Sequence, residues 1–450
     1  MSIVDLKKLV AEGATKVGAG RLQPRWARVN CLKSTIQEQM TSTFSAYTQT
    51  STLADVICAS PEEKLVCTDQ HIPDLLALPP GIDLIKTQAY KNGEFVLQDK
   101  ASCFPAYLLL GDSASHNVGD IFDACAAPGN KTTHLASIIC HQSTATDSAM
   151  SDFGLKIFAC ERDPLRSETL RKMVNVAGAD RVVTVLAKQD FLALDPDDAR
   201  FTNVTHLLLD PSCSGSGIVG RDDMPVLQLP KDPRPSKADP INADGKVWGK
   251  SAPNKRKRQG ESESDDKFGD RDLESEEVPR EVDSARLDRL ANLQTKIIEH
   301  AFSFPAARRI TYSTCSIHGQ ENEAVVLRAL SGCVATARGW RVMRRDEQPD
   351  GLTRWPHRGR DLEDRKDRNL ESSQTIAPRG LSEDEKQACI RCQIGDEEGT
   401  MGFFVCGFVR DSTETEVKRA KEESPGRRMS HEEDEEWGGF SDDETIKSIH

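Results

Sequence analysis

The chain has 450 residues, more than the roughly 250–300 at which a single hydrophobic core usually stops growing, so one large domain with additional segments is expected. Apolar residues make up 37% and charged residues 29%, which allows a core but leaves the chain polar overall. No run approaches the ~18 apolar residues that a membrane span needs, and the first residues lack the apolar stretch and cleavage site of a signal peptide. The 13 cysteines, an odd number scattered along the chain, argue against a disulfide framework. These features predict an intracellular soluble protein.

The net charge of −13 is concentrated in two segments rather than spread along the chain. Residues 261–283 carry a net −8 and residues 411–450 a net −7, so the rest of the chain is close to neutral. Residues 1–50 carry a net +4. Four closely spaced basic residues lie in this front segment: Arg21, Arg25, Arg28 and Lys33. This distribution permits RNA binding by the front segment without requiring it.

Three segments are predicted to lie outside the folded core because they have few large apolar residues. Residues 221–283 are rich in Pro, Lys, Asp, Ser and Glu and indicate a disordered, charged insertion. Residues 361–393 indicate a second, polar insertion, and residues 411–450 indicate an acidic disordered tail. The basic run at 255–258 fits a nuclear-import signal and fits a solvated charge cluster about equally well.

Between these segments, short runs with apolar centres alternate with stretches of helical periodicity. The predicted strands are residues 119–123, 155–160, 181–186, 205–209 and 309–313. The predicted helices include residues 131–140, 164–177 and 287–302. This alternation predicts an α/β fold with a mostly parallel central sheet covered on both faces. Because ligands bind beyond the carboxyl ends of such strands, the loops that follow them are the predicted site.

The loop after the first predicted strand contains an acid, a Pro-Gly turn and the start of a helix, in the string DACAAPGNKT at 123–132. It lacks the glycine spacing of a phosphate-binding P-loop and of the dinucleotide fingerprint, and by itself it also fits an ordinary strand-to-helix turn. Glu161 after the second strand suits a ribose and Asp190 after the third suits an adenine, although each alone is more simply a solvated loop acid. Such acids without a phosphate cradle favour a nucleoside cofactor that lacks phosphates, and S-adenosyl-L-methionine fits.

The loops after the fourth and fifth strands each contain a cysteine close to a strand end. Asp210 and Cys213 lie in DPSCSGSG at 210–217, and Cys315 lies in YSTCS at 312–316, ahead of a predicted helix. The partial positive charge of a helix N-terminus favours a thiolate beside it. A free cysteine is usually a small buried apolar residue, but two on neighbouring loops, one beside an acid, favour a thiol-based site.

Four strings, with their order and their positions at strand ends, resemble the RsmB/Nop/Sun family of RNA cytosine-C5 methyltransferases, also called the NSUN type. They are QDKAS at 98–102, DACAAPGNKT at 123–132, DPSCSGSG at 210–217 and YSTCS at 312–316. Ser212 stands where most family members have a second proline. Together with WPHRG at 355–359 and RWARVN at 25–30, this substitution resembles the large-subunit ribosomal RNA (Rcm-type) branch. The resemblance covers most of 20–220 and 284–410.

The resemblance implies the Rossmann-like class I fold of S-adenosyl-L-methionine-dependent methyltransferases. This domain would consist of residues 106–220 and 284–410 and would follow an N-terminal RNA-binding, pre-catalytic module at residues 1–105. The loop 125–131 would surround the methionine part of the cofactor, with Glu161 at the ribose and Asp190 near the adenine. The cofactor-binding residues that the resemblance implies are Cys125, Ala126, Ala127, Pro128, Gly129, Asn130, Lys131, Glu161, Arg166, Asp190 and Asp210.

The activity that the resemblance implies is formation of 5-methylcytosine in large-subunit rRNA. C5 of cytosine is a poor nucleophile, and a thiolate that adds to C6 makes C5 reactive enough to take a methyl group. The resemblance assigns this attack to Cys315, product release to Cys213 and contact with the base to Asp210. Choosing Cys315 over Cys213 as the nucleophile depends on the resemblance to the RNA family, since the spacing does not distinguish them.

The same resemblance implies rRNA as the partner, residence in the nucleus and nucleolus, and no metal or membrane; a monomer is expected. A target cytosine must leave its stack to react, and phosphate contacts from the basic front segment are expected to offset that cost. Cys389 and Cys392 resemble half of a zinc or redox motif without a partner pair, so no metal role is expected. Only 24 residues precede RWARVN, fewer than usual in this branch, which would fit a truncated gene model.

Two alternative functions remain open at the level of sequence. One is a methyltransferase acting on tRNA, a protein or a small molecule, with both thiols incidental. The other is a ribosome-assembly RNA-binding factor with a dispensable methyltransferase site, a role that the charged segments would suit.

Overall fold

The structure, a computed structural model, describes residues 23–111, 118–144, 154–218, 284–362 and 380–410. Some of the segments discussed from the sequence lie outside the described residues. They are the predicted insertion 221–283 with its basic run, the predicted tail 411–450, and Arg21 of the basic front segment.

Two β-sheets and the helices around them form the described part of the chain. The strands are β1 (Arg25–Val29), β2 (Thr48–Gln49), β3 (Leu65–Thr68), β4 (Leu75–Leu78), β5 (Phe95–Leu97), β6 (Asp120–Asp123), β7 (Ile157–Glu161), β8 (Val183–Ala187), β9 (Val204–Leu209), β10 (Arg309–Thr314), β11 (Trp340–Val342), β12 (Ile390–Cys392) and β13 (Phe403–Arg410). The helices are α1 (Ile36–Thr41), α2 (Leu53–Cys58), α3 (Gln88–Asn92), α4 (Lys100–Leu110), α5 (Asn130–Thr144), α6 (Pro164–Ala177), α7 (Ser284–Phe302), α8 (Glu323–Leu330), α9 (Cys333–Arg338), α10 (Asp350–Thr353) and α11 (Glu383–Ala388). Single turns of 3-10 helix lie at Pro61–Glu63, Phe191–Ala193, Ala199–Phe201 and Arg345–Glu347.

The larger sheet has the strand order β11-β13-β10-β9-β6-β7-β8, with β12 also paired to β13. Strands β10, β9, β6, β7 and β8 are parallel to one another, whereas β13 runs antiparallel to β10, β11 and β12. These parallel strands are the five that the sequence predicted, and their spatial order is that of a Rossmann-like sheet. The predicted α/β, Rossmann-like fold is therefore confirmed. The strand order reverses between β6 and β9, so the loops after these two strands flank the point where such sheets bind ligands.

Helix α6 begins and ends where local sequence signals place its boundaries. The side chain of Asp163 accepts a hydrogen bond from the backbone N–H of Arg166, and Pro164 occupies the first turn, where it costs no backbone hydrogen bond. Gly178 ends the helix with a φ of +72°, a conformation that favours glycine. Arg166 is thereby fixed in the first turn, next to the carboxyl ends of β6 and β7.

Helix α7 follows the predicted helical spacing of apolar residues. Its inward face buries Leu287, Ile297, Ile298, Ala301 and Phe302, while Leu290 and Leu293 are half-buried. The buried face packs into the same core as strands β9 and β10, because Leu207, Leu209 and Ile310 belong to that cluster. Helix α7 therefore covers the sheet behind the two loops that contain the predicted cysteines.

The smaller, five-stranded sheet has the order β2-β3-β4-β1-β5 and belongs to the N-terminal part of the chain. It shares a hydrophobic core with the larger sheet, since one cluster contains Trp26 and Leu75 together with Phe104 of α4 and Val405 of β13. The two sheets are thus joined by apolar packing and are not separated by a flexible linker.

The basic front segment is less accessible than the sequence suggested. Arg28 is completely buried in β1, the strand that pairs with both β4 and β5, so it does not contribute to the phosphate contacts expected of the front segment. Arg25 is half-buried and Lys33 is exposed. Burial follows from the position of β1 inside the sheet and against the second domain, which the local charge pattern does not reveal.

Residues 380–393, which the sequence placed in a polar insertion, include helix α11 and strand β12. Leu381, Ala388 and Cys389 are buried in the main core, and β12 pairs with β13. Cys392 is also buried, 4% exposed. This segment looks polar because its short helix exposes one charged face, while a few apolar residues complete the sheet.

Within the described ranges, no helix combines the length and apolar character needed to cross a membrane.

The tight contact between α10 and the N-terminal sheet provides a test of this domain arrangement. A Cβ atom added at Gly351 would lie 1.8 Å from the carbonyl oxygen of His71. We therefore expect Gly351→Ala to lower the free energy of unfolding by about 1–3 kcal/mol, because the backbone must shift to relieve the overlap. Gly154→Ala, where nothing lies within 4 Å, serves as the control and should change stability by less than about 0.5 kcal/mol in urea unfolding. Equal stability of the two variants would contradict the close packing of the two domains.

Candidate functional site

The predicted loops converge at the carboxyl edge of the parallel strands. Lys131 Nζ, at the start of α5, lies 2.7 Å from Asp210 Oδ2, just after β9. Cys213 Sγ, further along the same loop, lies 3.0 Å from Cys315 Sγ, just after β10. The loops after β6, β9 and β10 therefore meet at one place, as the sequence predicted from strand ends alone.

The two thiols differ in their tendency to ionise. The hydrogen bond from Cys213 lowers the pKa of Cys315, and the Lys131 cation lowers it further, although burial and the Asp210 carboxylate oppose this. The same hydrogen bond, together with burial, raises the pKa of Cys213. Because the thiolate is the nucleophilic form of cysteine, Cys315 is the better nucleophile of the pair.

The backbone around Cys315 is held by its neighbours across the sheet edge. Its carbonyl oxygen accepts a hydrogen bond from the N–H of Gly217 at 2.9 Å, and the carbonyl of Gly217 accepts one from Gly402 at 2.9 Å. A Cβ at Gly217 would lie 2.0 Å from the oxygen of Gly402, so only glycine fits where these two segments meet. This contact fixes the loop of Cys213 against the strand end of Cys315.

Asp210 is held on both of its carboxylate oxygens. Ser313 donates its hydroxyl to Asp210 Oδ1 at 2.6 Å, while Lys131 occupies Oδ2. Lys131 also donates to the hydroxyl of Ser102 at 3.2 Å. Burial lowers the pKa of Lys131, but the carboxylates of Asp210 and Asp123 outweigh it and leave the pKa raised, so Lys131 remains a cation.

Sequence reasoning missed Ser313 and Ser102 as parts of this site, although signals for both were present. Ser313 lies in β10, two residues before Cys315, and side chains at this spacing along an extended chain point to the same face. Ser102 closes the string QDKAS, which the family resemblance had already singled out.

Glu321 is another residue that sequence reasoning missed. Its Oε1 accepts hydrogen bonds from the N–H of Ser214 at 2.9 Å and from Gln294 Nε2 at 3.1 Å. Gln294 also donates to the carbonyl of Ser212 at 3.0 Å. Since Gln294 lies on α7, this buried pair fastens the cysteine loop to the helix behind it. No local sequence signal marks either residue.

The loop after β6 is shaped by hydrogen bonds and by a glycine. Thr132 donates its hydroxyl to Asp123 Oδ2 at 2.7 Å, and Ala126 N–H donates to the carbonyl of Cys160 at 2.9 Å. Gly129 has a φ of +112°, which residues with a Cβ rarely adopt. Burial raises the pKa of Cys125 well above the usual value, so this third thiol of the site is not a competing nucleophile.

Glu161 and Arg166 join the loops after β6 and β7. Glu161 is 5% exposed, and its Oε1 accepts a hydrogen bond from the N–H of Asp163 at 2.8 Å. Arg166 Nη2 donates to the carbonyl of Ala127 at 2.7 Å, and its Nη1 lies 3.6 Å from Glu161 Oε2. That separation is too long for a hydrogen bond and leaves Glu161 Oε2 available as an acceptor for a hydroxyl group.

Asp190 lies after β8, the next parallel strand, and is more exposed than Glu161. Its Oδ1 accepts a hydrogen bond from the N–H of Leu192 at 3.1 Å, and its Oδ2 lies 3.6 Å from Arg162 Nη1. A carboxylate at the end of β7 and another after β8, beside a tight loop after β6, suit a nucleoside with a free ribose. The residues present therefore fit a nucleoside cofactor.

The thiol pair predicts a measurable difference between two substitutions at position 213. Cys213→Ala removes the hydrogen bond to Cys315 that lowers the pKa of that thiol, so the pKa of Cys315 should rise. Cys213→Ser retains a donor and should leave it closer to the wild-type value. The measurement is the pH dependence of iodoacetamide labelling of Cys315, followed by peptide mass mapping. The same midpoint in both variants would contradict the hydrogen-bond explanation.

Asp123 predicts a pH-dependent stability. Burial raises the pKa of Asp123 from 3.8 to about 7, despite the opposing hydrogen bond from Thr132. Folded protein therefore keeps this proton where the unfolded chain has lost it, so the free energy of unfolding falls as pH rises from 3.8 to about 7. Asp123→Asn should remove this part of the slope in urea unfolding at about pH 5 and about pH 7.5. Asp346→Asn, at an exposed carboxylate, is the control; an unchanged slope in Asp123→Asn would contradict the raised pKa.

Comparison with known proteins identifies two family models in the chain. Residues 23–98 match the ferredoxin-like domain of NOL1/NOP2/Sun domain family member 5. Residues 112–234 match the 16S rRNA methyltransferase RsmB/F model. The first match covers the smaller sheet, and the second includes the loops after β6, β7, β8 and β9.

Three similar proteins have rRNA methyltransferase names. The chain is 34% identical to the 25S rRNA (cytosine-C(5))-methyltransferase rcm1 of Schizosaccharomyces pombe, over 88% of this chain and 65% of that protein. It is 32% identical to the 28S rRNA (cytosine-C(5))-methyltransferase of Mus musculus, over 77% of this chain and 58% of that protein. It is 33% identical to the 25S rRNA (cytosine-C(5))-methyltransferase NSUN5 of Arabidopsis thaliana, over 68% of this chain and 40% of that protein.

The chain thus spans less than two thirds of the length of each of these relatives. The two family models, the three relatives and the geometry of the loops all indicate the same family of proteins. The chain belongs to the RsmB/Nop/Sun (NSUN-type) family of methyltransferases and resembles its large-subunit rRNA branch.

Proposed function

We propose that this protein is an S-adenosyl-L-methionine-dependent RNA methyltransferase that forms 5-methylcytosine in large-subunit rRNA. The observation that carries the proposal is the pair of sulfur atoms of Cys213 and Cys315, 3.0 Å apart at the carboxyl edge of a Rossmann-like sheet. A thiolate beside a cation and a carboxylate suits covalent catalysis on a pyrimidine, which a methyltransferase acting on a stronger nucleophile would not require.

The cofactor would supply an electrophilic methyl group from its sulfonium and would be left as a neutral thioether. Glu161 would accept hydrogen bonds from the ribose, and Arg166 would hold the carboxylate of Glu161 beside the loop of Ala127. Asp190 would border the adenine. The remaining cofactor contacts would come from the loop after β6 and from Asp210. They involve Cys125, Ala126, Pro128, Gly129, Asn130 and Lys131.

Cys315 acts as the nucleophile in the proposed reaction. Its thiolate forms a bond to C6 of the target cytosine, and the electron pair of the C5–C6 double bond becomes available at C5 for the methyl group. Loss of the C5 proton to a base then expels the Cys315 thiolate and restores the aromatic ring. The Lys131 cation stabilises the thiolate before attack and after release.

Asp210 contacts the base on its N3/N4 side in this scheme. Ser313 and Lys131 fix its carboxylate, so little reorientation is needed when the base arrives. Cys213 assists release of the product, since its thiol already lies within hydrogen-bond distance of the Cys315 sulfur. The two cysteines therefore have different functions, as their opposite pKa shifts suggest.

The substrate follows from the relatives, whose names specify 25S and 28S rRNA. A nucleolar site of action, in the nucleus where large-subunit rRNA is made, accompanies that substrate. The proposed domain division is residues 1–105 for the N-terminal module and residues 106–220 with 284–410 for the catalytic domain. A monomer would suffice, because both thiols and both carboxylate loops come from one chain.

Removing each thiol should have a distinct effect on rRNA. Cys315→Ala should abolish 5-methylcytosine formation, because no nucleophile remains to activate C5. Cys213→Ala should instead accumulate a covalent RNA–protein adduct, because release is impaired. The measurements are mass-spectrometric or bisulfite mapping of large-subunit rRNA and migration of the protein on a denaturing gel.

Cys333→Ala, at an exposed cysteine on α9, is the matched control and should methylate normally. Full activity of Cys315→Ser on a non-RNA acceptor would replace the proposal with the alternative methyltransferase. A normal cellular phenotype with Cys315→Ala, but not with deletion of the gene, would favour an assembly factor instead.

A further inference from the structure

Arg28 is a buried cation that takes no direct part in the proposed reaction. Its side chain is completely buried, and the Asp74 carboxylate offsets only part of the cost of burying its charge. Its Nε donates to Gln98 Oε1 at 2.8 Å, and its Nη2 donates to Thr133 Oγ1 at 3.1 Å and to the carbonyl of Asn130 at 3.3 Å. Burial lowers the pKa of this guanidinium, so the protein holds it against an electrostatic cost.

Two hydrogen-bonded connections lead from Arg28 to Lys131. Asn130, whose carbonyl accepts from Arg28, immediately precedes Lys131 in the chain. Gln98, another of the three acceptors, donates its Nε2 to the carbonyl of Ser102 at 2.9 Å. The hydroxyl of Ser102 in turn accepts from Lys131 Nζ at 3.2 Å. One guanidinium of the N-terminal sheet therefore supports both the backbone and the ammonium group of Lys131.

We propose that Arg28 is a positioning residue that, from the N-terminal domain, holds Lys131 in its ion pair with Asp210, within the group of loops that contains Cys315. The inference rests on the proposed function, because it concerns the same reaction. A planar guanidinium presents donors in a fixed fork, and here that fork connects the end of the first domain to the first turn of α5. A lysine at position 28 would keep the charge but could not make these divergent contacts together.

The consequence for the thiol depends on the groups that face Cys315. These are the Cys213 thiol, the Asp210 carboxylate and the Lys131 cation, together with the backbone N–H of Cys315 itself. Of these, only Lys131 is reached by the hydrogen bonds from Arg28. Displacing Lys131 removes a favourable charge from the thiolate while the unfavourable Asp210 charge stays, so ionisation of Cys315 becomes harder.

The test compares R28K with W26F, a matched control in the same strand. Trp26 is also buried at the domain contact and donates its Nε1 to the carbonyl of Gly399 at 2.9 Å, but it does not reach Lys131. We expect R28K to lower kcat on rRNA by about 10- to 100-fold with KM changed less than about twofold. We also expect the midpoint of Cys315 alkylation to move to higher pH by about one unit in R28K. W26F should leave both values at the wild-type level.

Equal alkylation midpoints and equal kcat values in R28K and W26F would overturn the proposal. If R28K does not fold, judged by its circular dichroism spectrum, Q98L is the second variant, since it removes only the branch through Ser102. Q98L should move the Cys315 midpoint in the same direction by a smaller amount, and an unchanged midpoint would equally overturn the inference. The alkylation measurement needs no methyl transfer, so failure of the wild type to methylate rRNA would contradict the proposed function and leave the role of Arg28 measurable.

Discussion

The carboxylate of Asp210 connects its own loop after β9 to the loop after β6 and to strand β10, and the site depends on this connection. Lys131 after β6 holds one oxygen at 2.7 Å, and Ser313 in β10 holds the other at 2.6 Å. The Lys131 side chain is 12% exposed and the Asp210 side chain 28%, so the pair is partly shielded from water and its attraction is stronger than at a fully exposed site. The order of the parallel strands makes this contact available, because β6 and β9 are neighbours at the point where the order reverses.

The thiol pair illustrates how one environment can give two identical side chains different chemistry. Both sulfurs are partly buried, which disfavours charge on either, and two negative charges 3.0 Å apart would repel strongly. Only one thiol can therefore ionise readily, and this is Cys315, because the hydrogen bond from Cys213 lowers its pKa and the Lys131 cation lowers it further. The protonated Cys213 is then a donor to the thiolate and a ready source of a proton.

The smaller sheet is structurally continuous with the larger one. Lys100, at the start of α4, is buried and lies 2.6 Å from Asp69 of the N-terminal sheet and 3.3 Å from Glu398 near β13. Its ammonium group also lies 5.3 Å from the rings of Trp26 and Trp355. The boundary between residues 105 and 106 that the sequence suggested lies inside α4 and therefore does not separate two mechanically independent units. Any RNA that contacts the N-terminal sheet is held in a fixed relation to the thiols.

The sequence alone determined the parallel strands, the loops after them and the two cysteines, because hydrophobic periodicity and strand-end residues are local patterns. Only the tertiary structure decided that Arg28 is buried, that Ser313 and Glu321 orient the site, and that Cys389 and Cys392 lie in the core. These outcomes depend on partners distant in the chain: Ser313 binds a carboxylate 103 residues away, and Gln294 reaches the carbonyl of Ser212 across 82 residues. Local composition shows which side chains a segment contains. The burial of those side chains and their hydrogen-bond partners depend on how the sheets and helices pack around the segment.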